Sequence, residues 1–586
     1  MSELARTGGR RAAILHSAWI LGLGCFALAL VVRLIGIGHG LPWVYDIDEA
    51  EHFVPVAVHY LRDGTLNPSY FDNPPGLSEV LDVVFRLRFH TGFPFGHSGF
   101  ALRFATHPQE MFLVAREVVA VLAAAGVGFV ALLGRRVGGS AVGVVAGVLL
   151  ALAPIPVLYG QLALNDAVTV APVALALFLG LRILERGDRL SWALAGASVG
   201  IAAGIKYTGA LVVLPLAIVA INRVVVARDG VGTVLRRAGL AVALAVFFFL
   251  ILNPYAVVHV DAFLQGLKRQ STETTGLQKI GARNAPGIVT GLWTLTWGFG
   301  WVPLVAAGGG LLLLARRHRW QAAMLGSLPL IMLALDAGSS EVYARYQLPA
   351  YPVFAVLAAY GGVAAARALV RGPRLRWAAL ALAGAALVVQ GALTTLHAER
   401  ALARTDTREL ARRWLLAHVP AGTSMEVEPV FPTGWLTDPP PVGPPRFIVS
   451  GSVGSTLRPF YERVLSPSLV DIYRRDGICT IVVASQERDR GLDDHLPGPT
   501  AYYARLDAES TLLALFSPWH RGSHPKFDFD QSYLPVRSDT VRGGPEIEIR
   551  RLGDCTPAPP PAPGHPAPPV PAPGSPAFGA PIVTPG

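Results

Sequence analysis

Long apolar runs recur along this chain and constrain its fold more than any other feature. Five of them span residues 14–32, 118–133, 141–158, 167–181 and 238–252. Each approaches or reaches the roughly 20 residues that an α-helix needs to cross a bilayer. Of the 586 residues, 52% are hydrophobic and 15% are charged, whereas roughly 25% are charged in an average soluble protein. The sequence therefore predicts a polytopic α-helical membrane protein.

The arginines lie in short gaps between the apolar runs and predict the orientation of the helices. Arg6, Arg10 and Arg11 precede the first run, which by the positive-inside tendency places the amino terminus in the cytoplasm. This run is longer than the roughly 7–15 residues of a signal-peptide core, so we interpret it as a membrane helix. Arginine-bearing loops then alternate with other loops, and the spacing predicts about eleven spans. These are residues 14–37, 111–133, 141–160, 166–184, 190–205, 207–222, 238–254, 291–315, 320–336, 346–369 and 375–396.

Net charge and cysteine spacing argue against nucleic-acid binding and against a cysteine metal site. The formal net charge of +10 does not indicate a nucleic-acid partner, because the arginines are explained by their positions between spans. Cys25, Cys479 and Cys555 lie far apart, and none belongs to a C-x-x-C spacing. The sequence therefore predicts neither a cysteine metal site nor a disulfide framework.

Composition divides the chain into three parts. Residues 1–396 form the predicted membrane domain, in which residues 38–109 make a long first outer loop. Residues 397–555 are more charged and predict a small extracytoplasmic α/β domain. Its helix and strand patterns lie at residues 406–418, 479–484 and 546–551. Residues 556–586 are rich in Pro, Ala and Gly and predict a disordered tail. We expect the chain to cross the inner (plasma) membrane many times, with the α/β domain outside.

The most unusual local feature is an acidic cluster at residues 45–52, which reads YDIDEAEH. Ionisable groups at a membrane boundary cost desolvation energy unless they are solvated or have a role. The alternative is a helix cap, since Asp46 followed three residues later by Glu49 is an N-capping pattern. In such a helix Asp48, Glu51 and His52 share one face, at positions i, i+3 and i+4. The sequence leaves both interpretations open.

Four further polar positions fall on the same predicted side of the membrane. The four are Asp72 before a Pro-Pro pair, Asp166 after Asn165, Lys206 between two apolar runs, and Arg345 with Tyr346 at the start of a span. Each also has an ordinary structural explanation. Asp72 can form an Asx-turn, Asn165-Asp166 a helix N-cap, Lys206 can snorkel, and Arg345 with Tyr346 can be an interfacial anchor. Carboxylates can deprotonate a hydroxyl, and lysine and arginine can bind a phosphate leaving group. Their common side favours group transfer from a phosphate-linked donor.

These motifs resemble, in chain order, those of the polyprenyl-phosphate-sugar-dependent glycosyltransferases of the membrane GT-C fold. The most similar branch is that of the protein O-mannosyltransferases and aminoarabinose (lipid A) transferases. The motifs are DE at 48–49, FDNPP at 71–75, LND at 164–166, GIK at 204–206 and RYQLP at 345–349. The resemblance implies a polyprenyl-phosphate sugar as donor, a hydroxyl acceptor and transfer on the extracytoplasmic face.

The resemblance also implies roles for individual carboxylates. Asp48 corresponds to the base-like carboxylate at the acceptor hydroxyl, and Glu49 is its neighbour on the same helix. Asp72 and Asp166 correspond to acidic residues of the first and second outer loops. We expect a single displacement with inversion, in which Asp48 is the general base.

The resemblance assigns the donor phosphate to Lys206, Arg345 and Tyr346. One departure concerns Asn73, because many bacterial relatives have a lysine directly before the Pro-Pro pair. A neutral amide cannot supply charge to a phosphate, so that donor contact is not expected here. A divalent cation stays open, since carboxylates can hold one but no His/Cys ligand spacing indicates a site.

Two other functions compete with sugar transfer. A transporter or flippase would be expected to carry charges at the membrane midplane and paired internal repeats, and neither is evident. A membrane assembly protein with a partner-binding outer domain would explain the outer domain but not the acidic first loop. Selectivity for the sugar and for the acceptor depends on loop shape, which residue spacing does not encode.

Overall fold

A computed structural model of the chain consists mainly of apolar helices that are followed by a smaller α/β domain. It describes residues 2–90, 98–275, 286–339, 341–370, 372–432, 435–436, 446–450, 465–493 and 495–558. Within these residues, eight helical segments are long and apolar enough to cross a membrane. They are Pro108–Gly138, Asn165–Arg186, Tyr207–Val225, Val231–Ile251, Gly287–Arg317, Arg319–Gly338, Ala344–Leu369 and Arg374–His418.

Three shorter apolar helices, Ala18–Leu34, Ser140–Leu152 and Arg189–Ile205, overlap the other predicted spans. The predicted polytopic helical class is confirmed, and the count of eleven spans stays a prediction. Several long segments are built from consecutive helices with a tighter or wider turn between them. The component helices are Asn165–Val168, Val170–Arg186, Val213–Val225, Gly287–Leu295, Trp301–Arg317, Tyr351–Leu369 and Pro373–Leu402, whereas Ser2–Leu34 is one continuous helix.

The segments between these helices form short helices of their own. The first outer loop contains Ile47–Glu51, Phe53–Asp63, Gly76–Phe89 and Ser98–Thr106. Later connections contain Pro154–Leu158, Tyr255–Val258 and Val260–Thr275. These helices shape the end of the bundle on which the polar residues gather.

Small residues allow close packing of the membrane helices. A Cβ atom on Gly196, in helix Arg189–Ile205, would lie 2.0 Å from the carbonyl oxygen of Ala241 in helix Val231–Ile251. Gly200 meets the same helix one turn further on. Without a hydrophobic driving force between helices in lipid, such backbone contact is a main source of association.

The carboxyl-terminal domain contains a five-stranded sheet of order β2-β1-β3-β5-β4. The strands are β1 Ser424–Val427, β2 Ile448–Ser450, β3 Thr480–Ala484, β4 Ser510–Phe516 and β5 Ile547–Leu552. β1 pairs in parallel with β2 and β3, whereas β5 pairs antiparallel with β3 and β4. Helices Thr407–His418, Leu469–Arg475, Ser485–Asp493 and Pro497–Glu509 accompany the sheet. β3 and β5 coincide with the two predicted strands.

Cys479 and Cys555 form a disulfide bond, so the prediction that the cysteines form no disulfide framework is wrong for this pair. Cys479 immediately precedes β3 and Cys555 follows β5. The antiparallel pairing of Thr480 with Arg551 brings these ends together, although 76 residues separate the two cysteines in sequence. Cys25 is a free, buried thiol. Most of the predicted tail, from residue 559 onward, lies outside the described residues.

The α/β domain is docked on the first outer loop. The Trp43 side chain lies in the hydrophobic core of that domain, and its Nε1 donates a 3.3 Å hydrogen bond to Glu409. The Arg408 guanidinium lies 3.8 Å from the centroid of the Tyr45 ring. The acidic helix Ile47–Glu51 therefore begins immediately after residues that the α/β domain holds in place.

Candidate active site

The acidic cluster forms a short helix whose start is capped as the sequence predicts. The Asp46 carboxylate accepts the backbone N–H of Glu49 at 3.0 Å. The Asp48 carboxylate lies 3.7 Å from His52 Nε2, which confirms their predicted common face. The His52 ring stacks on Tyr70, with ring centroids 5.2 Å apart. Capping therefore accounts for Asp46 and leaves Asp48 facing other groups.

Two pKa shifts follow from this crowding of charge. Burial and repulsion from Asp48 raise the pKa of Asp46 to about 6, although Arg345 acts in the opposite direction. For His52, burial lowers the pKa, but the neighbouring Asp48 carboxylate more than compensates, so that the net shift is upward.

Arg345 binds Asp48 directly. Its Nη2 donates a 2.6 Å hydrogen bond to Asp48 Oδ2. The guanidinium lies 4.7 Å from the ring centroid of Tyr343 and 5.7 Å from that of Tyr159. A largely buried cation within aromatic rings interacts more strongly with an anion than an exposed cation does.

A second ion pair joins Lys206 and Asp166. The Lys206 Nζ lies 5.4 Å from the ring centroid of Tyr346, and the Arg345 guanidinium lies 5.8 Å from the same ring. The Tyr346 ring is thus a common neighbour of both cations. The structure brings together five predicted site residues, Asp48, Asp166, Lys206, Arg345 and Tyr346.

The capping alternative for Asn165 and Asp166 is wrong. Leu164 occupies the N-cap position of helix Asn165–Val168. The Asn165 Nδ2 donates a 2.7 Å hydrogen bond to the carbonyl oxygen of Ile205. Asn165 therefore fixes the backbone next to Lys206, while Asp166 pairs with the lysine side chain.

Asp72 belongs to a neighbouring turn. Its carboxylate pairs with Arg269 at 2.9 Å, and the carbonyl oxygen of Phe71 accepts a 2.9 Å hydrogen bond from Tyr207. The Pro-Pro turn that follows packs directly on the segment carrying Lys206, because a Cβ on Gly76 would lie 2.2 Å from the Gly204 carbonyl oxygen. Asp72 is thus held at the edge of the cluster, and its predicted role stays a prediction.

Glu49 lies apart from the Asp48–Arg345 pair. Its carboxylate is fully buried and accepts two 2.7 Å hydrogen bonds from Arg116. It also accepts the backbone N–H of Ala163 at 2.7 Å. Arg116 in turn donates to the carbonyl oxygens of Ile37 and His39. This contact set ties the first outer loop to helix Pro108–Gly138.

Sequence reasoning missed several residues around the site. Asp530, from the α/β domain, accepts the backbone N–H of Ala344 at 2.8 Å. Burial and the nearby Asp528 raise the pKa of Asp530 to about 7, against the effect of the hydrogen bond from Ala344. Arg116 and Arg269 were also missed. No sequence signal identifies such residues, because their partners lie far away in the chain and nothing local sets them apart.

The described residues contain no group of three or more His, Cys, Asp or Glu side chains arranged to hold a metal ion. The polar cluster consists instead of paired carboxylates and cations among tyrosines. Such an arrangement can accept a proton at a carboxylate and can bind an anion at the two cations.

Comparison with known proteins gives this cluster a context. Residues 107–256 match the family model described as dolichyl-phosphate-mannose-protein mannosyltransferase. The chain is similar to the crystal structure of ArnT from Cupriavidus metallidurans bound to undecaprenyl phosphate, with 15% sequence identity and a TM-score of 0.50. That match covers 92% of this chain and 99% of ArnT. The apo state of ArnT matches with 14% identity and a TM-score of 0.50, covering 93% and 100%.

The apo form of the Archaeoglobus fulgidus oligosaccharyltransferase is similar at 12% identity and a TM-score of 0.48, over 89% of this chain and 77% of that chain. No curated protein matches the chain significantly. The likeness to ArnT extends over nearly the whole of both chains, so the membrane helices and the carboxyl-terminal domain share one overall arrangement with that protein.

Proposed function

We propose that this membrane glycosyltransferase of the GT-C fold transfers a sugar from a polyprenyl-phosphate donor to a hydroxyl acceptor on the extracytoplasmic face. The overall arrangement shared with ArnT agrees with the fold predicted from the motifs, and the family match over residues 107–256 supports the predicted family. One observation carries the proposal: the first-loop carboxylate Asp48 and the cations Arg345 and Lys206 form a single cluster around Tyr346.

The two cations suit a lipid phosphate. Lys206 and Arg345 are mostly buried, with side chains 13% and 15% exposed, and both approach the same aromatic ring. A phosphate between them would gain charge-assisted hydrogen bonds in a poorly solvated site, where fixed cations stabilise developing negative charge. ArnT, which shares the fold, was crystallised with undecaprenyl phosphate, and this supports a lipid-phosphate donor here.

Asp48 is the general base of the proposed reaction. Its carboxylate is 33% exposed, more than that of its partner Arg345, so an acceptor can approach it from outside. In the free protein Arg345 holds Asp48 by a hydrogen bond. A donor phosphate competes for Arg345, and its binding therefore frees Asp48 to accept a proton.

The chemical step is a single displacement. The acceptor oxygen forms a bond to the anomeric carbon of the sugar while the bond from that carbon to the phosphate oxygen breaks. The acceptor proton moves to Asp48, and the bonding electrons leave with the polyprenyl phosphate, whose charge Lys206 and Arg345 stabilise. Attack from the face opposite the leaving group inverts the anomeric configuration.

Other carboxylates have positioning roles in this proposal. Asp166 orients Lys206, and Asp72 with Arg269 fixes the turn that packs against the Lys206 segment. Glu49 holds the acidic helix against helix Pro108–Gly138 through Arg116. No step requires a metal ion, and the proposal leaves both the sugar and the acceptor class open.

The orientation of the chain is part of the proposal. The arginine distribution places the amino terminus in the cytoplasm and the α/β domain outside. The Cys479–Cys555 bond supports this, because disulfides persist in the oxidising environment outside the cytoplasm.

Mass spectrometry of the lipid that co-purifies with the protein in mild detergent tests the proposed function. We expect a polyprenyl phosphate or its sugar ester in the wild-type protein, and less of it in Arg345→Met. Lys268→Met is the matched control, because Lys268 is exposed on helix Val260–Thr275 and has no place in the cluster. Equal lipid in Arg345→Met and wild type, or no polyprenyl lipid at all, would contradict the proposal.

A further inference from the structure

A turn of the α/β domain contacts the backbone that precedes Arg345. The Asp530 Oδ2 accepts the N–H of Ala344 at 2.8 Å, and Asp530 is 3% exposed. The ring of Phe529 packs against that of Tyr343, with centroids 5.5 Å apart. Phe529 and Asp530 of the α/β domain thus contact Tyr343 and Ala344. These two residues directly precede Arg345 in the membrane domain.

This contact caps a helix from another part of the chain. Ala344 begins the 3-10 helix Ala344–Ala350, which continues into Tyr351–Leu369. The first N–H groups of a helix have no partner within it, and an acidic side chain is favourable at that end. Within the described residues, Tyr343 at the N-cap position provides no side-chain bond. Asp530 supplies the missing acceptor from 186 residues away in sequence.

The turn is anchored within its own domain. Gln486 Nε2 donates a 2.9 Å hydrogen bond to the carbonyl oxygen of Ser532. Arg490 Nη2 donates at 2.7 Å to the Tyr533 hydroxyl, and its guanidinium lies 5.0 Å from the Phe529 ring centroid. Both side chains belong to helix Ser485–Asp493, which directly follows β3. Continuous contacts therefore run from the sheet to the start of the span that carries Arg345.

We infer that Asp530 is a positioning residue through which the α/β domain holds Arg345 in the donor-phosphate site. This inference rests on the proposed function, since it concerns how that site is built. Arg345 is surrounded by Asp48 and three tyrosine rings, so a small shift of its backbone changes several contacts at once. Fixing the Ala344 N–H fixes the residue adjacent to Arg345.

Binding of undecaprenyl phosphate to the purified full-length protein tests the inference without requiring turnover. We expect Asp530→Ala to weaken binding about tenfold or more, because a hydrogen bond is lost and a buried N–H is left without an acceptor. Asp530→Asn retains an oxygen that can accept the bond and should show a smaller loss. Asp539→Ala is the matched control, since Asp539 is an acid of the same domain that pairs with Arg537, and it should bind as wild type does.

A double-mutant cycle separates positioning from a general structural role. Arg345→Met alone should weaken binding, and adding Asp530→Ala to it should cause little further loss, because Asp530 acts through Arg345. Fully additive losses, or wild-type affinity in Asp530→Ala, would overturn the inference while leaving the proposed function in place. If the wild-type protein did not bind undecaprenyl phosphate, both the proposed function and the inference would fall.

Discussion

Arg345 donates a 2.6 Å hydrogen bond to Asp48, although 297 residues separate them in sequence. One residue belongs to the first outer loop and the other to the start of a late span. The two roles that we propose for them, proton acceptance and phosphate binding, therefore involve side chains in direct contact. In the proposed mechanism Arg345 and Asp48 are paired in the free protein. Donor binding replaces this pair by a contact between Arg345 and the phosphate.

Replacing Asp48 with asparagine tests the base. Asp48→Asn keeps the size and much of the hydrogen bonding to Arg345, but the amide cannot accept a proton. We expect the transfer rate to fall roughly 10²–10⁴-fold, the usual contribution of general-base catalysis, while undecaprenyl phosphate still binds. Single-turnover kinetics with a labelled donor measure this, and NMR of the product should show inversion. Wild-type transfer, or retention of configuration, would refute the role of Asp48.

Removing the positive charge of Lys206 tests the leaving-group site. Lys206→Met keeps length and apolarity, so the loss of transfer, on the order of 10²-fold, should reflect the charge at the phosphate. Steady-state kinetics with varied donor concentration measure it. Lys268→Met changes the same residue type on an exposed helix surface and should leave kcat/KM unchanged. If Lys206→Met matched that control, Lys206 would be a snorkelling lysine without a role in transfer.

We expect that breaking the buried Glu49–Arg116 ion pair lowers the free energy of unfolding substantially. Glu49→Gln leaves a buried guanidinium without its counter-charge, which costs about 3–5 kcal/mol. Glu185→Gln is the control, because the Arg136–Glu185 pair is partly exposed and such pairs contribute about 0–1 kcal/mol. Thermal unfolding in detergent should show a clearly lower midpoint for Glu49→Gln. Equal midpoints would show that the buried pair does not stabilise the first outer loop.

The titration of Asp46 should make the free energy of unfolding depend on pH. Its pKa is about 6 in the folded protein and about 3.9 in an unfolded chain, so the folded state binds the proton more tightly. The stabilisation due to protonated Asp46 is present below pH 4 and is lost as pH rises to 6. Asp46→Asn keeps a capping oxygen, so at pH 7 it should melt above wild type, with the difference shrinking toward pH 4. A difference that did not change with pH would contradict this.

The predicted topology can be tested with single cysteines. Cys25→Ser removes the free thiol and leaves the Cys479–Cys555 bond intact. Added cysteines at Ser2 and Ser140 should be protected from a membrane-impermeant maleimide in intact cells, whereas one at Ser523 should react. Labelling at Ser2 or Ser140 but not at Ser523 would reverse the orientation and remove the acidic cluster from the extracytoplasmic face.

Much of the fold was predictable because apolar periodicity and length are local properties. The predicted spans overlap apolar helices throughout the membrane domain, and β3 and β5 match the predicted strands. The cap at Asp46 and the shared face of Asp48 and His52 also follow from spacing along one helix.

The remaining features depend on contacts between distant segments. The disulfide was missed because only the antiparallel pairing of β3 and β5 brings its cysteines together. Asp166 looked like a cap, but its partner Lys206 lies on the next span. Asp530 could not be identified from the sequence, since nothing in its own loop indicates that it accepts an N–H from a membrane helix.

The backbone contact between Gly76 and Gly204 has a consequence for engineering donor specificity. Because no side-chain atom fits between these positions, the Pro-Pro turn and the segment that carries Lys206 form one mechanical unit. A substitution that adds a side chain at Gly76 would have to displace the Gly204 backbone. Grafting both segments together from one homologous enzyme would preserve their fit, so the two form the smallest exchangeable module of this site.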